Sequence, residues 1–395
     1  MAACAGLCSG SNYLHQPLIA SIADAYGVSG SVAAATVALA QIAYVLGLVL
    51  VAPAGDILER RRLIVTLMLL AAGGLLLAGF APSLVVFFAG VLCTGVCAVA
   101  AQVLVALVAT LAEPENRAAR VGVVMSGLLV GILCARTVSG VLSDLGGWQT
   151  AYRVVALVMV LASAALWRTL PRVPVGRPDQ GWASTVGSLV QVARAFPRLR
   201  TRALLGGVTF AGASLVLSTM ALRLTAPPFE LTDAQTGLVS LVGVAGALLA
   251  NVVGPAVDRG RARQVNIACL VALLAAWLLF ATAGAHLLVV FVLAMVLLDM
   301  GLQGIHVSNQ AIIQALSDTA RTRVTSVYMT GYFLGAASGS TVASVLWPFA
   351  GWTGVCVAGF VFLALAAMAL RLDSRTASTS PADVGSRPQA PRAAP

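Results

Sequence analysis

Long apolar stretches follow one another along the chain and limit what it can fold into. Each holds about 20 or more mostly uncharged residues, enough for a helix to cross the hydrocarbon core of a bilayer. They cover residues 3–25, 31–54, 63–81, 84–111, 120–143, 150–170, 203–226, 234–256, 264–285, 287–315, 324–346 and 352–371. The pattern predicts an all-α membrane protein with twelve transmembrane helices, which we number as spans 1 to 12.

The composition excludes an ordinary soluble protein. Only 10% of the residues are charged and 59% are hydrophobic, whereas a soluble domain carries about 25% charged residues. The 7 cysteines lie in or at the ends of apolar stretches, and an odd number of them is not typical of a disulfide framework. One Asp and one His in a span make a poor ligand set, so we expect no metal site.

Clustered arginines predict how the chain is oriented. The net charge is +10, and the 24 basic residues are all arginine. They lie in short groups without interleaved aromatic residues, so we expect lipid and no nucleic acid as the partner. The even-numbered connections between spans, the long polar interval and the tail hold most of them. By the positive-inside rule, these segments and both termini are predicted to be cytoplasmic, in a bacterial inner membrane.

Two related halves are visible in the sequence. Residues 171–202 form the long polar interval and are predicted to be a cytoplasmic linker between two pseudo-symmetric six-helix bundles, residues 1–170 and 203–371. The segment 125–131 aligns without gaps on 329–335, 204 positions later. Parallel repeats of six spans are typical of one large class of transporters. The tail, residues 372–395, has too little apolar surface to fold and is predicted to be disordered.

Two loops at equivalent places in the halves carry a recognisable motif. After span 2 the chain reads APAGDILERR from Ala52, and after span 8 it reads GPAVDRGRAR from Gly254. Both resemble the signature G-x-x-x-D-R-x-G-R-R of the major facilitator superfamily; the first copy is degenerate and the second lacks one spacer residue. The resemblance implies a cytoplasmic gate made by Asp56, Arg60, Arg61, Gly254, Asp258, Arg259 and Arg263. A carboxylate facing arginines can form charge-assisted hydrogen bonds that break when this face opens. The alternative is a basic loop that only sets the topology.

Two further segments resemble parts of this superfamily. The run NYLHQPL from Asn12 resembles a stretch of bacterial members classed near drug and sugar efflux carriers. The glycines Gly127 and Gly131 of span 5 loosely resemble the antiporter motif, although Ile132 stands where that motif has proline. With Gly331 and Gly335 of span 11 they are also predicted to allow close helix packing. The resemblance covers about residues 1–370 and implies two bundles that rock about a midplane site.

Polar side chains inside the spans predict the transport pathway. In span 10, Asp299, Gln303, His306, Gln310 and Gln314 fall on one helix face. Such a stripe must face water, a substrate or another polar helix, and a charge such as Arg136 deep in span 5 needs a cavity or an anionic partner. Purely structural networks are the alternative for both. Weaker candidates for the pathway are Asn12, Gln16, Gln41, Tyr44, Gln102, Tyr328 and Tyr332.

The sequence therefore predicts a secondary transporter and no enzyme. Without lysine it cannot hold a G-x-x-x-x-G-K phosphate loop, and it has no H-E-x-x-H or G-x-S-x-G motif. A channel filter or a clustered lipid-enzyme site is not visible either. We expect a monomer that exports a small organic molecule, with the proton as coupling ion and no cofactor. Asp299 or His306 would carry the proton. Import of a sugar or other metabolite with protons is the alternative.

Overall fold

Helices make up almost all of the described chain. The computed structural model describes residues 1–113, 117–171, 182–243, 249, 253–316 and 321–378. The N-terminal half consists of α1 (Ala2–Ser11), α2 (Ile19–Tyr26), α3 (Gly30–Leu46), α4 (Arg60–Gly79), α5 (Leu84–Cys97), α6 (Ala100–Leu111), α7 (Arg117–Gly146) and α8 (Trp148–Thr169). After it come α9 (Trp182–Ala195), α10 (Pro197–Leu224), α11 (Asp233–Val239), α12 (Ala262–Ala281), α13 (Leu288–Gln314) and α14 (Arg321–Ser378).

Nine helical segments within these described residues are long and apolar enough to cross a membrane. They are Gly30–Gly55, Arg60–Gly79, Leu84–Leu111, Arg120–Gly146, Trp148–Thr169, Pro197–Leu224, Arg259–Ala281, Leu288–Gln314 and Arg323–Asp373. The helical membrane architecture is thus confirmed, and the exact number of twelve spans in two bundles stays a prediction. The last segment holds predicted spans 11 and 12, which are joined through Pro348 and a non-helical Gly351 (φ 51°).

Predicted span 1 is interrupted rather than continuous. α1 ends at Ser11, a 3₁₀ turn covers Gln16–Leu18, and α2 begins at Ile19. Pro17 has no backbone N–H to donate and its ring crowds the preceding turn, so an α-helix does not run through it. The interruption leaves several polar residues of this span at the centre of the N-terminal half.

Helices also occupy part of the predicted linker. α9 lies within residues 171–202, and α10 begins at Pro197, ahead of the expected start of span 7. Proline is well suited to the first turn of a helix, where its missing N–H would have no intrahelical partner. At the other end, α14 runs to Ser378 and so includes the first residues of the predicted tail. Residues 172–181 and 379–395 lie outside the described part of the chain.

Glycines bring two helix pairs into backbone contact at matching places in the halves. α1 packs along α7, and α10 packs along α14. A Cβ added at Gly131 would overlap the Cα of Gly6, and one added at Gly335 would overlap the carbonyl of Gly207. Gly127 and Gly331 lie one turn earlier, against Ala2 and Ala203. Each half therefore has its first and fifth spans joined through small residues, as expected for helix association in lipid.

We expect Gly131→Ala to lower the stability of the transporter by about 1–3 kcal/mol, because the extra methyl forces α1 and α7 apart. Gly122→Ala on the same helix is the matched control, since a Cβ there would meet no atom within 4 Å. Thermal unfolding of the purified variants in detergent measures the difference. Equal unfolding temperatures for the two variants would mean that α1 and α7 can move apart without loss of stability.

Candidate functional site

Arg136 of α7 and Asp299 of α13 line one small cavity between the two halves. About 320 Å³ of space there is unfilled by atoms, part of it open to solvent. Its walls are formed by Arg136, Ala213, Leu217, Ser240, Gly243, Met295, Leu298, Asp299 and Leu302. Arg136 is only 8% exposed, and the Asp299 carboxylate interacts electrostatically with its guanidinium. A buried cation is costly unless an opposite charge compensates it, and Asp299 supplies that charge here.

The interrupted first span supplies one wall beside Arg136. The guanidinium carbon of Arg136 lies 5.3 Å from the centroid of the Tyr13 ring, a cation–π contact worth about 0.5–2 kcal/mol. Tyr13 follows directly after α1, where the chain leaves the helix before the turn at Pro17. The sequence placed Tyr13 inside span 1 but gave no reason to pair it with Arg136.

Several buried polar atoms of the N-terminal half have no hydrogen-bond partner in the protein. They are both amide atoms of Asn12, Nε2 of His15, Oε1 of Gln16, Oε1 of Gln41 and Nε of Arg136. All five residues are more than nine-tenths buried. A buried polar atom without a partner costs about 1–3 kcal/mol, so proteins rarely keep a cluster of them without a use. Of these residues, Arg136 lines the cavity described above.

A row of aromatic rings connects the two halves near the same level. Tyr44 of α3 accepts a hydrogen bond from Gln102 Nε2 (3.2 Å) and packs on Phe333 with ring centroids 4.5 Å apart. In the C-terminal half, Tyr332 stacks on Phe210 at 4.3 Å. The ring of His306 follows, 4.5 Å from that of Tyr332. Stacked rings provide a rigid apolar surface on which a planar substrate can lie.

The residues of the polar stripe of α13 lie in different environments. Asp299 lines the cavity, Gln303 is half-buried, and His306 lies against Tyr328 and Tyr332. Further along, Gln310 Nε2 lies 3.6 Å from Met329 Sδ, and Gln314 is exposed. The structure thus brings the first part of the stripe to the centre of the molecule and leaves its end near the cytoplasmic side predicted from the arginines.

A buried ion pair near that side was not anticipated from the sequence. Arg202 of α10 forms a salt bridge with Asp373 of α14, and both side chains are 4% exposed. Thr201 Oγ1 donates to Asp373 Oδ1 (2.9 Å), and Arg202 Nη1 donates to Asn309 Oδ1 (3.1 Å). Arg202 lies in the predicted linker and Asp373 in the predicted tail, where charges are expected to face solvent. An arginine shortly before an apolar span was the one available signal.

The arginines of the first predicted gate loop contact other helices of their own half. Arg60 donates to the carbonyl of Ala106 (3.3 Å) and to Thr110 Oγ1 (2.6 Å), both on α6. Arg61 donates to the carbonyl of Trp167, and its guanidinium carbon lies 4.5 Å from the centroid of the indole. Gly254 is half-buried, and Arg259 and Arg263 are exposed. The side chains of Asp56 and Asp258 are outside the described part, so the cytoplasmic gate stays a prediction.

A carboxylate joins the two halves at the ends of the spans away from the signature loops. Asp233, at the start of α11, accepts hydrogen bonds through Oδ2 from Ser21 Oγ (2.5 Å) and Ser143 Oγ (2.6 Å). Its backbone touches α7 at Gly140, where no Cβ could fit. Burial raises the pKa of the Asp233 carboxyl, and the two hydroxyl donors act in the other direction. We call this contact the outer clamp.

Asp233→Ala is expected to open the outer end, because it removes two hydrogen bonds to a charged group worth about 1.5–3 kcal/mol each. The measurement uses Ser240→Cys, which places a thiol inside the cavity of a variant without other cysteines. A membrane-impermeant thiol reagent is added from outside, and the rate of alkylation measures how often this end opens. The rate should rise about tenfold or more, since about 1.4 kcal/mol corresponds to a factor of ten. Glu230→Ala, an exposed carboxylate in the same loop, is the control. An unchanged rate would show that the helices stay closed without the clamp.

Comparison with known proteins identifies the family. The family model of the Major Facilitator Superfamily matches residues 1–320 and, in a second match, residues 203–394. This chain belongs to the Major Facilitator Superfamily. The predicted superfamily is confirmed, and the chain is a membrane transporter rather than an enzyme. Its substrate is a small molecule, as for transporters of this kind.

Two relatives and several solved structures agree with this assignment. The transporter is 43% identical to the putative uncharacterized transporter YgaY of Escherichia coli over 359 residues, 91% of each chain. It is 30% identical to a probable transporter of Streptomyces coelicolor, covering 92% of this chain and 84% of the other. The solved nucleoside transporter NupG matches with a TM-score of 0.73 at 14% identity, over 95% of this chain and 98% of that one. A bacterial homolog of the human lysosomal transporter Spinster, in an inward-facing and occupied conformation, matches with a TM-score of 0.75 at 16% identity, over 95% of both chains. At these identities the structures show a shared fold only.

Proposed function

We propose that this transporter exports a small organic molecule across the bacterial inner membrane in exchange for protons, by alternating access. One observation carries the proposal: a buried arginine of one half and a carboxylate of the other line the same cavity. Ionisable groups inside a membrane protein are costly and usually belong to a substrate or ion pathway. Two opposite charges that belong to different halves respond directly to any relative motion of those halves.

Charge balance links the proton to the substrate. With Asp299 ionised, its charge compensates that of Arg136, and the site is neutral. A proton on Asp299 removes this compensation, and a substrate group that pairs with Asp299 competes with that proton. Substrate and proton are exchanged because the Asp299 carboxylate binds either the proton or the substrate, but not both. Tyr13, the Asn12 amide and the amide oxygens of Gln16 and Gln41 would orient the substrate, with the row of aromatic rings as its apolar support.

Alternating access requires each end to close in turn. The outer clamp holds one end, and the signature loops after spans 2 and 8 are the proposed closure of the other. The arginine clusters support placing these loops, and both termini, on the cytoplasmic side. In this arrangement a proton entering from outside would reach Asp299 only after Ser21 and Ser143 separate from Asp233.

The direction of transport rests on the resemblance of the segment at Asn12 to efflux carriers. Import together with protons is a second candidate, favoured by Ile132, which replaces the proline of the antiporter motif. In that case Asp299 would be protonated when the substrate binds, and substrate and proton would move together. The same residues would serve export and import, so the experiment must distinguish these two directions of transport.

Transport in everted membrane vesicles tests the proposal. A panel of radiolabelled organic compounds is offered to vesicles with and without the transporter, with the interior acidified or with the pH gradient collapsed. We expect at least one compound to accumulate only when the interior is acid, because protons leaving the vesicle drive the compound in. Accumulation that is indifferent to the pH gradient would contradict proton coupling. Accumulation favoured by an alkaline interior would support import in the cell.

A further inference from the structure

A directional chain of hydrogen bonds runs through the C-terminal half from the buried ion pair to His306. It begins at Arg202, whose guanidinium has only donors. Nη2 is used by Asp373, and Nη1 donates to Asn309 Oδ1 at 3.1 Å. Because arginine cannot accept, the amide oxygen of Asn309 must face it. The orientation of this amide is therefore fixed by chemistry.

The amide nitrogen of Asn309 donates the next hydrogen bonds of the chain. With Oδ1 facing Arg202, Nδ2 lies 3.4 Å from the backbone carbonyl of Arg202 and 3.5 Å from the hydroxyl oxygen of Tyr328. An amide nitrogen is a donor only, so the phenol oxygen accepts from it. The phenol proton is then free for the other neighbour of this hydroxyl, His306 Nδ1, at 3.1 Å.

The Tyr328–His306 hydrogen bond links this direction to the proton on His306, because a phenol that accepts from Asn309 can donate its own proton to Nδ1. If Tyr328 donates to Nδ1, that nitrogen must be an acceptor, and the proton of the imidazole is on Nε2. Protonating Nδ1 would turn the phenol proton away and break the bond that orients it. The groups that face His306 are Tyr328 and Tyr332 of α14, with Arg202 of α10 behind Tyr328 and Asp299 two turns earlier on α13.

We infer that Arg202, Asn309 and Tyr328 are positioning residues that hold His306 as a neutral imidazole protonated at Nε2, so that Asp299 carries the coupling proton. His306 then has a fixed role, a hydrogen-bond donor beside the aromatic row, and it is not a carrier of charge. The assignment of the proton to Asp299 rests on the proposed function, whereas the state of His306 rests only on the hydrogen bonds. The two parts can be tested separately.

Nitrogen NMR of the transporter in lipid, labelled with ¹⁵N-histidine, tests the state of His306. The chain has 3 histidines, so His306→Asn assigns the signals. We expect the Nε2–H neutral tautomer between about pH 5 and 8, the range in which an ordinary histidine titrates. Tyr328→Phe removes the donor to Nδ1 and should let the Nδ1–H tautomer appear, whereas Tyr332→Phe, which changes another ring packed on His306, should not. An Nδ1–H tautomer or an imidazolium ion at neutral pH in the unmodified protein would overturn the inference.

Transport by His306→Gln tests the second part. Glutamine keeps a donor but cannot hold a charge, so accumulation should still depend on the pH gradient, with a raised KM. Loss of the pH dependence in this variant, with exchange of labelled for unlabelled compound retained, would place the proton on His306 and overturn the inference. If the unmodified transporter itself ignores the gradient, the proposed function fails, while the NMR result still decides the tautomer.

Discussion

Asp299→Asn is expected to reduce accumulation driven by a pH gradient to the level of vesicles without the transporter. Asparagine has the shape of aspartate but cannot bind and release a proton near neutral pH. The variant therefore keeps the cavity and loses the group for which proton and substrate compete. Exchange of labelled for unlabelled compound needs no net proton movement, so we expect it to persist at a measurable rate.

The control for this experiment is Asp24→Asn, which neutralises an exposed carboxylate of the N-terminal half. This variant should transport as the unmodified protein does. The amount of each variant in the membrane is measured after extraction, so that transport can be compared per molecule. Normal gradient-driven accumulation by Asp299→Asn would mean that the carboxylate only neutralises Arg136. The proton would then have to be carried elsewhere.

The second large effect concerns stability. Arg202→Ala should destabilise the transporter by about 3–5 kcal/mol, because it leaves the Asp373 carboxylate buried without its partner. The carboxylate is 4% exposed, and Thr201 Oγ1 also donates to it. Thermal unfolding in detergent measures this loss. Arg200→Ala, which changes an exposed arginine on the same helix, is expected to unfold at nearly the original temperature.

A double variant separates the loss of attraction from the cost of a lone charge. Arg202→Met combined with Asp373→Leu removes both charges and keeps apolar volume, and such replacements of buried ion pairs are often close to neutral. The double variant should therefore be more stable than Arg202→Ala. A double variant that is less stable than the single one would show that the pair itself contributes net stability.

The sequence predicted the helical membrane architecture and singled out Arg136 and Asp299, for a physical reason. Twenty apolar residues in a row have few stable environments other than lipid, and a charge such as Arg136 or Asp299 is conspicuous among them. Their meeting at one cavity could not be read from the chain, because their contact joins positions more than 160 residues apart. Packing of the two halves decides it.

Other contacts could not be predicted, because the sequence around these residues is compatible with more than one environment. Arg202 and Asp373 lie among polar residues at the ends of spans, where a buried pair and a solvated pair have the same composition. The break at Pro17 was not predicted for span 1, and the contact of Tyr13 with Arg136 depends on the path of the chain at that break. Asn309 lies on α13 one position from Gln310, so its side chain falls outside the predicted polar face.

Proton counting on the purified transporter tests the central claim most directly. A compound that the vesicles accumulate is added to the protein in weakly buffered detergent, and the pH change is recorded. Exchange of substrate and proton at Asp299 predicts release of about one proton per bound molecule at a pH where Asp299 is protonated, and none from Asp299→Asn. Uptake of a proton would instead indicate transport of substrate and proton together. Binding with no proton released or taken up at any pH would contradict the account.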